Sequence, residues 1–565
     1  MRRLVHNFSR PLGLLATSQA FKTTSPTVDA DLKAVNFEDT SAYKQKSTWK
    51  LLKYFFILKL CSYERLTQNS IQYMRFFEKI LGSKITYDFF VRKTIYDCFC
   101  AGANDYELKK TIRALDKARI GVVLDYAVEA DCEGFTPAPG IAEAPDLSMS
   151  SLVNKSNIQY LMNENAFDEN MKLYMVSIMH ASLHCPAGNH GLAAIKVTGI
   201  CDPQLLARVS AILMSIHQSW YTCFTKEKAP KLEECRVVMG VGREHQLYIT
   251  YDQLREGFKV LGDGVPLSEE EFDQVITLLD PHKKEKIDYF WYKEVLTEAT
   301  TTPEPDAAQS ILIKRLPHMS AVEKKLWRIL VKRLDHIVST AQALGVRALV
   351  DAEQTFYQIA IDALVVYLQK RYNKDIPVVY NTYQCYLTYA EDRVANDLIR
   401  AKRLGFQWGG KVVRGAYMLQ EVATAKQYGY ASPIWPTYEQ TNKCYGRVAK
   451  RIVEGFLANP DMKYEVFFGT HNRESLEEIT DLVLKNPILV KHVSFGQLFG
   501  MRDNLTIPLA KANFKVYKYL PYGPVKDSVH YLIRRAIENS SVLSNPNNQE
   551  GKMIKKEIRR RFLLP

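Results

Sequence analysis

The stretch RALVDAEQTFYQIAIDALVVYLQKRYNKDIPVVYNTYQ, residues 347–384, holds two short runs of apolar, β-branched residues with one long helix-like segment between them. The first run ends in polar residues from Asp351, and the second ends at Gln384. Short β-branched runs that alternate with helix-length segments predict strand–helix–strand units and a parallel sheet. The fold class follows from how often this unit recurs along the chain.

Six further runs of the same kind lie along the chain, and a helix-like segment follows each one. These runs occupy residues 120–129, 193–199, 410–417, 464–472, 489–497 and 514–523. Eight strands, each followed by a helix, predict an α/β fold of the (β/α)8 barrel class. Nearly every run ends in polar residues, and the carboxyl ends of barrel strands carry the chemistry in such folds, which favours an enzyme. The polar residues at the ends are Asp125, Lys196, Asp351, Gln384, Arg414, Thr470, His471, Gln497 and Tyr519.

The remaining segments surround this barrel. Residues 1–28 are basic, hydroxyl-containing and free of acids, which is typical of a mitochondrial targeting segment; an ordinary flexible terminus is the alternative. Apolar residues at helical spacing predict an N-terminal helical region within residues 36–118. The barrel is predicted in two parts, 119–225 and 345–565, with a helical insert over 226–344 between its second and third strands.

Part of the insert has the pattern of paired helix–loop–helix units. Residues 280–291, DPHKKEKIDYFW, align with the twelve-residue loop of an EF-hand, with Asp280 and Asp288 at ligand positions. Lys284 stands at another ligand position, and Trp291 replaces the bidentate glutamate, so the loop opposes a dication. The sequence therefore predicts an EF-hand-like insert that binds no calcium, and it predicts no metal site elsewhere.

The composition, 47% hydrophobic and 24% charged, is that of a globular protein. Its net charge of +13 is not arranged as basic blocks interleaved with aromatic residues, so an anionic membrane surface is a better partner than nucleic acid. The ten cysteines form no C-x-x-C pair, which fits reduced thiols. The apolar run 51–61 contains Lys53 and Lys59, and it predicts a buried or interfacial helix rather than a membrane span.

Eight motifs, in order and with compatible spacing, resemble those of proline dehydrogenase, a barrel family that includes bacterial proline utilisation A. They are VLDYAVE (123–129), AAIKVTG (193–199), LVDAEQTF (349–356), NTYQCYL (381–387), KVVRGAY (411–417), THN (470–472), FGQLFGM (495–501) and KYLPYGPV (518–525) with YLIRRAIENSS (531–541). The resemblance covers roughly residues 101–561 outside the insert, and the insert and basic leader resemble the animal mitochondrial form. It implies non-covalent FAD, oxidation of L-proline to 1-pyrroline-5-carboxylate as the first step of proline catabolism, and electron transfer to ubiquinone. The location that it implies is the matrix side of the inner mitochondrial membrane.

The C-terminal helix-like segment places Arg534 and Arg535 side by side. A solvated helix face is the ordinary explanation for such a pair. Guanidinium groups are also well shaped to hold a planar carboxylate through paired N–H donors. The resemblance implies that both arginines bind the substrate carboxylate, that Tyr531 packs on the substrate ring and that Glu538 orients an arginine.

The resemblance implies further substrate contacts on the barrel. Lys196 corresponds to a lysine between the flavin and the substrate carboxylate, where a cation also stabilises a reduced flavin. The other residues that it implies there are Asp351 near the flavin ring, Tyr417 in the pocket, Leu498 in its apolar wall and Glu129 as the partner of Arg534.

A separate set is implied for the cofactor. Lys411 stands where many bacterial relatives have arginine, so a bidentate contact to the flavin is not expected there. Met418 stands where they have tryptophan, so stacking on the adenine is not expected there. The residues expected to line FAD are Gln384, Lys411, Val413, Gly415, Ala416, Thr470 and His471.

Tyr519 corresponds to the residue that faces the substrate ring, which is tyrosine in proline-specific members and serine in those resembling hydroxyproline dehydrogenase. A phenol fills the space where a ring hydroxyl would lie, so the sequence predicts a proline enzyme. Hydroxyproline dehydrogenase remains the alternative of the same class. A non-enzymatic adaptor built around the insert is the alternative of another class, and the poor ligands of the EF-hand-like loop count against it.

Overall fold

The computed structural model describes residues 32–39, 41–44, 46–61, 63, 69–126, 163–183, 190–225, 248–302, 304–529, 531–536 and 549–562. The predicted targeting segment, residues 1–28, lies outside these ranges. Two of the predicted site residues, Glu129 and Glu538, also lie outside them.

Eight parallel strands close into a barrel, as the sequence predicts, and two short antiparallel strands lie in the insert. In chain order the strands are β1 (Gly121–Tyr126), β2 (Leu192–Ile195), β3 (Tyr248–Thr250), β4 (Lys286–Asp288), β5 (Arg347–Val350), β6 (Val379–Gln384), β7 (Gly409–Val413), β8 (Glu465–Gly469), β9 (Val493–Leu498) and β10 (Val516–Tyr522). Around the barrel the order is β1, β10, β9, β8, β7, β6, β5, β2. β10 closes the ring on β1, with Val123 opposite Tyr519.

Alternation of side chains along the strands divides the core in two. One set points into the barrel and packs together there; it consists of Val123, Leu192, Ala194, Leu349, Tyr380, Phe467 and Tyr517, with Tyr519 packed against it. Intervening residues such as Val122 and Ala193 instead join the outer core formed with the helices. A Cβ added at Gly496 would lie 2.1 Å from the ring of Phe467, so the glycine makes room for an aromatic ring inside the barrel.

Helices form the outer layer and the flanking regions. The α-helices are Ser41–Lys44, Thr48–Cys61, Ser70–Ser83, Asp97–Phe99, Asp105–Asp116, Glu164–Leu183, Pro203–Ser219, Tyr251–Leu261, Glu269–Leu279, Tyr289–Thr301, Ala307–Lys314, Ala321–Ala343, Thr355–Tyr372, Ala390–Leu404, Met418–Tyr428, Tyr438–Ala458, Arg473–Lys485, Asp503–Lys511, 531–536 and Gln549–Phe562. Lys84–Tyr96 and Trp220–Thr225 are wider π-type turns, and Val197–Gly199 and Pro487–Lys491 are 3-10 turns. In the part of the chain that the structure describes, no helix is long and apolar enough to cross a bilayer.

The N-terminal helices and the last helix pack on each other through a buried carboxylate. Glu550 accepts hydrogen bonds from the hydroxyls of Tyr43 at 3.0 Å and Tyr54 at 3.1 Å. It also accepts the backbone N–H of Arg502 at 3.1 Å. In the helix Thr48–Cys61, five side chains on the apolar face are buried, which supports the buried alternative for this run.

The chain between β2 and β5 holds helices and one small sheet. β3 pairs with β4, with Ile249 opposite Ile287. The carboxylate of Asp280 accepts the hydroxyl of Tyr251 at 2.8 Å and the backbone N–H of Glu285 at 2.9 Å, so groups within the insert already bind it. The described residues contain no cluster of three or more His, Cys, Asp or Glu side chains able to hold a metal ion.

Candidate active site

Four predicted residues meet at the carboxyl ends of the barrel strands. Lys196 follows β2, Asp351 follows β5, Lys411 lies in β7 and Tyr519 in β10. Asp351 accepts a hydrogen bond from Lys411 and another from the Tyr519 hydroxyl at 2.9 Å, and its Oδ2 lies 3.7 Å from Lys196 Nζ. Because these strands are spread around the ring, the barrel brings together residues far apart in sequence.

Asp125, at the end of β1, completes this group. Its Oδ1 accepts a hydrogen bond from Lys196 Nζ at 2.5 Å, and both side chains are buried, at 1% and 8% exposure. The group therefore contains two carboxylates and two ammonium groups, which together carry no net charge. We call these residues, with Tyr519, the mouth network.

The environment fixes the ionisation of the mouth network. Burial acts to raise the pKa of Asp351, but the charges of Lys411 and Lys196 and the hydrogen bonds from Lys411 and Tyr519 outweigh it, so the pKa lies below its ordinary 3.8. Burial raises the pKa of Tyr519 well above 10.0, and the charges of Asp125 and Asp351 add to this effect. At neutral pH the carboxylate is therefore ionised and the phenol is a hydrogen-bond donor.

A buried carboxylate behind Lys196 holds that lysine's loop in place. Glu353 accepts the backbone N–H of Thr198 at 3.1 Å and its hydroxyl at 2.7 Å. This contact joins the turn after β2 to the loop after β5. The side chain of Gln384 donates to the backbone carbonyl of Glu353 at 2.9 Å, which extends the connection to β6.

The segment after β7 approaches the neighbouring loop closely. Gly415 has φ +133°, and a Cβ there would lie 2.5 Å from the ring of Tyr386. The backbone N–H of Cys385 donates to the carbonyl of Val413 at 2.8 Å, which continues the β6–β7 pairing beyond the strands. Ala416, which follows the glycine, is exposed. The glycine is therefore required both by its backbone angle and by the space available.

Thr470 and His471 follow β8 and are both fixed by neighbours. Arg414 donates to the Thr470 hydroxyl and also to Asn442 Oδ1 at 2.9 Å. His471 Nε2 accepts the backbone N–H of Leu498 at 3.1 Å, so a neutral ring carries its proton on Nδ1. Burial lowers the pKa of His471 well below 6.5, and nearby cations, Arg535 among them, lower it further. The imidazole is therefore neutral at physiological pH.

The helical residues 531–536 lie against this mouth. The guanidinium of Arg534 lies 5.9 Å from the ring centroid of Tyr417, and that of Arg535 lies 5.0 Å from the ring of Tyr531. Arg535 is only 7% exposed, and Leu498 packs against the cluster that contains Tyr531. A buried guanidinium is unlike a solvated helix face, so the ordinary explanation for the pair does not describe Arg535.

The side chains at the mouth offer N–H donors to a ligand with carbonyl acceptors, and Arg414 adds a cation to the neutral mouth network. Lys196, Lys411 and Arg414 supply cationic N–H donors, and Gln384 and Thr470 supply neutral ones. Two contributors, Asp125 and Arg414, are absent from the set that the resemblance implies. Both were detectable, because each is a polar residue that ends a predicted strand.

Charged side chains gathered at the carboxyl ends of barrel strands are the arrangement of (β/α)8-barrel enzymes. A family model described as proline dehydrogenase matches residues 266–548. The chain is 30% identical to human proline dehydrogenase 1, mitochondrial, over 94% of this chain and 90% of that protein. It is 28% identical to the Drosophila melanogaster protein of the same name, over 99% of this chain and 88% of the relative. The chain belongs to the proline dehydrogenase family.

Other relatives bear on specificity and fold. Hydroxyproline dehydrogenase of Xenopus laevis is 26% identical over 94% of this chain and 91% of that protein. Among solved structures, proline utilization A from Bdellovibrio bacteriovorus superposes with a TM-score of 0.51 at 12% identity. This chain covers 40% of that longer protein, and 92% of this chain is matched. At this identity the likeness concerns the fold.

Proposed function

We propose that this protein oxidises L-proline to 1-pyrroline-5-carboxylate, using non-covalently bound FAD and passing electrons to ubiquinone. The observation that carries the proposal is the mouth network at the carboxyl end of a barrel that belongs to the proline dehydrogenase family. The human and Drosophila melanogaster relatives are mitochondrial by name, and the first 28 residues resemble a targeting segment. We therefore propose that the protein acts at the matrix face of the inner mitochondrial membrane.

The chain's own residues fit FAD at the ends of β6, β7 and β8. Lys411 and Gln384 supply donors for the acceptor edge of an isoalloxazine ring. Val413, Gly415 and Ala416 form the segment that we propose lines the cofactor, and the close contact between Gly415 and the ring of Tyr386 fixes the path of its backbone. We also propose that Thr470 and His471 contact FAD and that Arg414 supplies a cation for its diphosphate.

The substrate side is formed by the arginine helix and the mouth network. We propose that Arg534, Arg535 and Lys196 hold the proline carboxylate, with two cations from the helical residues 531–536 and one from the end of β2. Around the ring we propose Tyr417, Leu498, Tyr519 and Tyr531 as walls, with Glu129 and Glu538 as partners of the arginines.

Bound FAD supplies a hydride acceptor for the ring carbon next to nitrogen. Loss of that hydride and of the proton on nitrogen leaves the C=N bond of the product. The residues of the chain hold the carboxylate, orient the ring and keep water away from the reacting carbon. Lys196 and Lys411 also place positive charge where reduction adds negative charge.

Oxidation of hydroxyproline is the second candidate, because relatives with that activity in their name match nearly the whole chain. Tyr519 argues for proline. Its ring packs at the end of the barrel interior and its hydroxyl is committed to Asp351 at 2.9 Å. A substrate hydroxyl would have to displace this phenol.

The test is formation of 1-pyrroline-5-carboxylate from proline by the purified protein with a water-soluble dye as acceptor. Product is trapped with o-aminobenzaldehyde. Lys196→Met should lower kcat/KM by at least about tenfold, as expected for the loss of one charge-assisted contact. Lys485→Met is the matched control, because Lys485 is 68% exposed and pairs only with its helix neighbour Asp481 in the described contacts. Failure of the wild-type protein to form this product would refute the proposal.

A further inference from the structure

The helix Ser70–Ser83 presents its apolar face to solvent. Its large apolar residues recur at the spacing of one helical face, and each is at least 36% exposed. We call them the apolar stripe: Tyr73, Phe76, Phe77, Ile80 and Leu81. A globular protein normally buries such a face against its core, so the stripe requires a partner.

Basic residues accompany the stripe. Residues 70–96 contain five basic and two acidic residues, and Lys79 and Lys84 are exposed. Lys79 lies one helical turn from Phe76 and one residue from Ile80, at the border of the apolar face. An amphipathic helix with aromatic and aliphatic residues on one side and lysines at its border suits the interface of an anionic bilayer.

The stripe belongs to a segment that is anchored at the barrel mouth. Tyr96 donates its hydroxyl to the carbonyl of Gly523, directly after β10, at 2.7 Å. A Cβ at Gly500, after β9, would lie 1.8 Å from the carbonyl oxygen of Cys98. On the other side, Glu78 pairs with Lys526 at 3.3 Å. The stripe is thus tied to the end of the barrel where the mouth network lies.

We infer that the apolar stripe is the surface by which this protein rests on an anionic lipid bilayer. This inference rests on the proposed function, because a quinone dissolved in the membrane must reach the barrel mouth. The stripe inserts at the level of the headgroups, and Lys79 and Lys84 contact the lipid phosphates.

The test is co-flotation of the full chain with vesicles of phosphatidylcholine and phosphatidylglycerol in a roughly four-to-one ratio, which supplies negative surface charge. A variant with Phe76→Ser, Phe77→Ser and Ile80→Ser should bind at least about tenfold more weakly, because it loses most of the inserted apolar area. A matched control carries Val265→Ser, Val322→Ser and Ile488→Ser, at positions that are 61–63% exposed elsewhere. The control should bind like the wild type.

A double variant with Lys79→Glu and Lys84→Glu should bind anionic vesicles more weakly, by about fivefold or more for each lysine replaced. Its binding to vesicles without anionic lipid should not change. Wild-type protein that does not float, or a stripe variant that floats like the wild type, would overturn the inference. The inference would also be overturned if the wild type does not float and light scattering shows that it forms an oligomer which the stripe variant does not form. Proline oxidation with a water-soluble dye should persist in every variant, and its absence from the wild type would instead refute the proposed function.

Discussion

Tyr519 offers two substitutions that separate its ring from its hydroxyl. Tyr519→Phe keeps the ring and removes the 2.9 Å hydrogen bond to the carboxylate of Asp351. Loss of a hydrogen bond to a charged group costs roughly 1.5–3 kcal/mol. Lys411 and Lys196 still face the carboxylate, so Asp351 remains paired. We therefore expect Tyr519→Phe to lower the free energy of unfolding by an amount in the lower half of that range. Tyr519→Ser removes the ring as well and leaves a void beside the substrate.

For wild-type protein we expect kcat/KM for proline to exceed that for trans-4-hydroxyproline by at least about tenfold, or roughly 1.4 kcal/mol in transition-state binding. Tyr519→Phe should keep this ratio, because the ring still fills the space for a hydroxyl. Tyr519→Ser should narrow the ratio, mainly by weakening proline. The assay is steady-state oxidation of both amino acids with a water-soluble acceptor, together with thermal unfolding of each variant.

Two results would refute this reasoning. If the wild type oxidises both amino acids equally well, Tyr519 does not exclude the hydroxyl and the substrate assignment fails. If Tyr519→Phe narrows the ratio as much as Tyr519→Ser does, the hydroxyl and not the ring sets specificity.

Four further outcomes are expected. Arg535→Met should raise KM for proline by about ten- to a hundredfold with flavin retained, as expected for a lost charge-assisted contact, whereas Arg560→Met, at a side chain that is 61% exposed, should leave KM unchanged. Asp351 has a lowered pKa in the folded protein, so its stabilising contribution is present above its unfolded pKa and is lost as pH falls through the folded value. Asp351→Asn should therefore lower the free energy of unfolding at pH 7, and denaturant unfolding should show that this loss becomes smaller below about pH 4. Gly415→Ala should lower the melting temperature and flavin content, whereas Gly429→Ala, at φ +68° with no atom within 4 Å of the added Cβ, should cost only the strain of its backbone angle, about 1 kcal/mol. Millimolar calcium should leave melting temperature and activity unaltered, and a saturable shift that Asp280→Ala abolishes would show a functional loop.

The sequence predicts the barrel because strand and helix patterns are local. β-branched runs such as 377–384 need only their own residues to indicate a strand, and polar ends such as Asp351 mark the carboxyl edge. Which charges meet at that edge depends on the closure of the ring. The contact between Asp125 and Lys196 needs β1 and β2 to be neighbours, and Tyr519 reaches Asp351 from the other side of β1. Such pairings carry no local signal.

The same limit applies outside the barrel. The helical pattern in Ser70–Ser83 is visible in the sequence, but periodicity alone indicates a buried face, and the structure exposes it. The opposite occurs for residues 51–61, where the sequence allows burial or an interface and the structure buries one face, formed by Leu51, Tyr54, Ile57, Leu58 and Cys61. Both helices have apolar faces, and only tertiary packing decides which one meets the core.

The absorbance spectrum of the purified protein, before and after anaerobic addition of L-proline, tests the central claim most directly. The account predicts a bound oxidised flavin whose visible band bleaches on addition of proline and is restored by a quinone. A protein that carries no flavin after reconstitution with FAD, or a flavin that stays oxidised in excess proline, would contradict it.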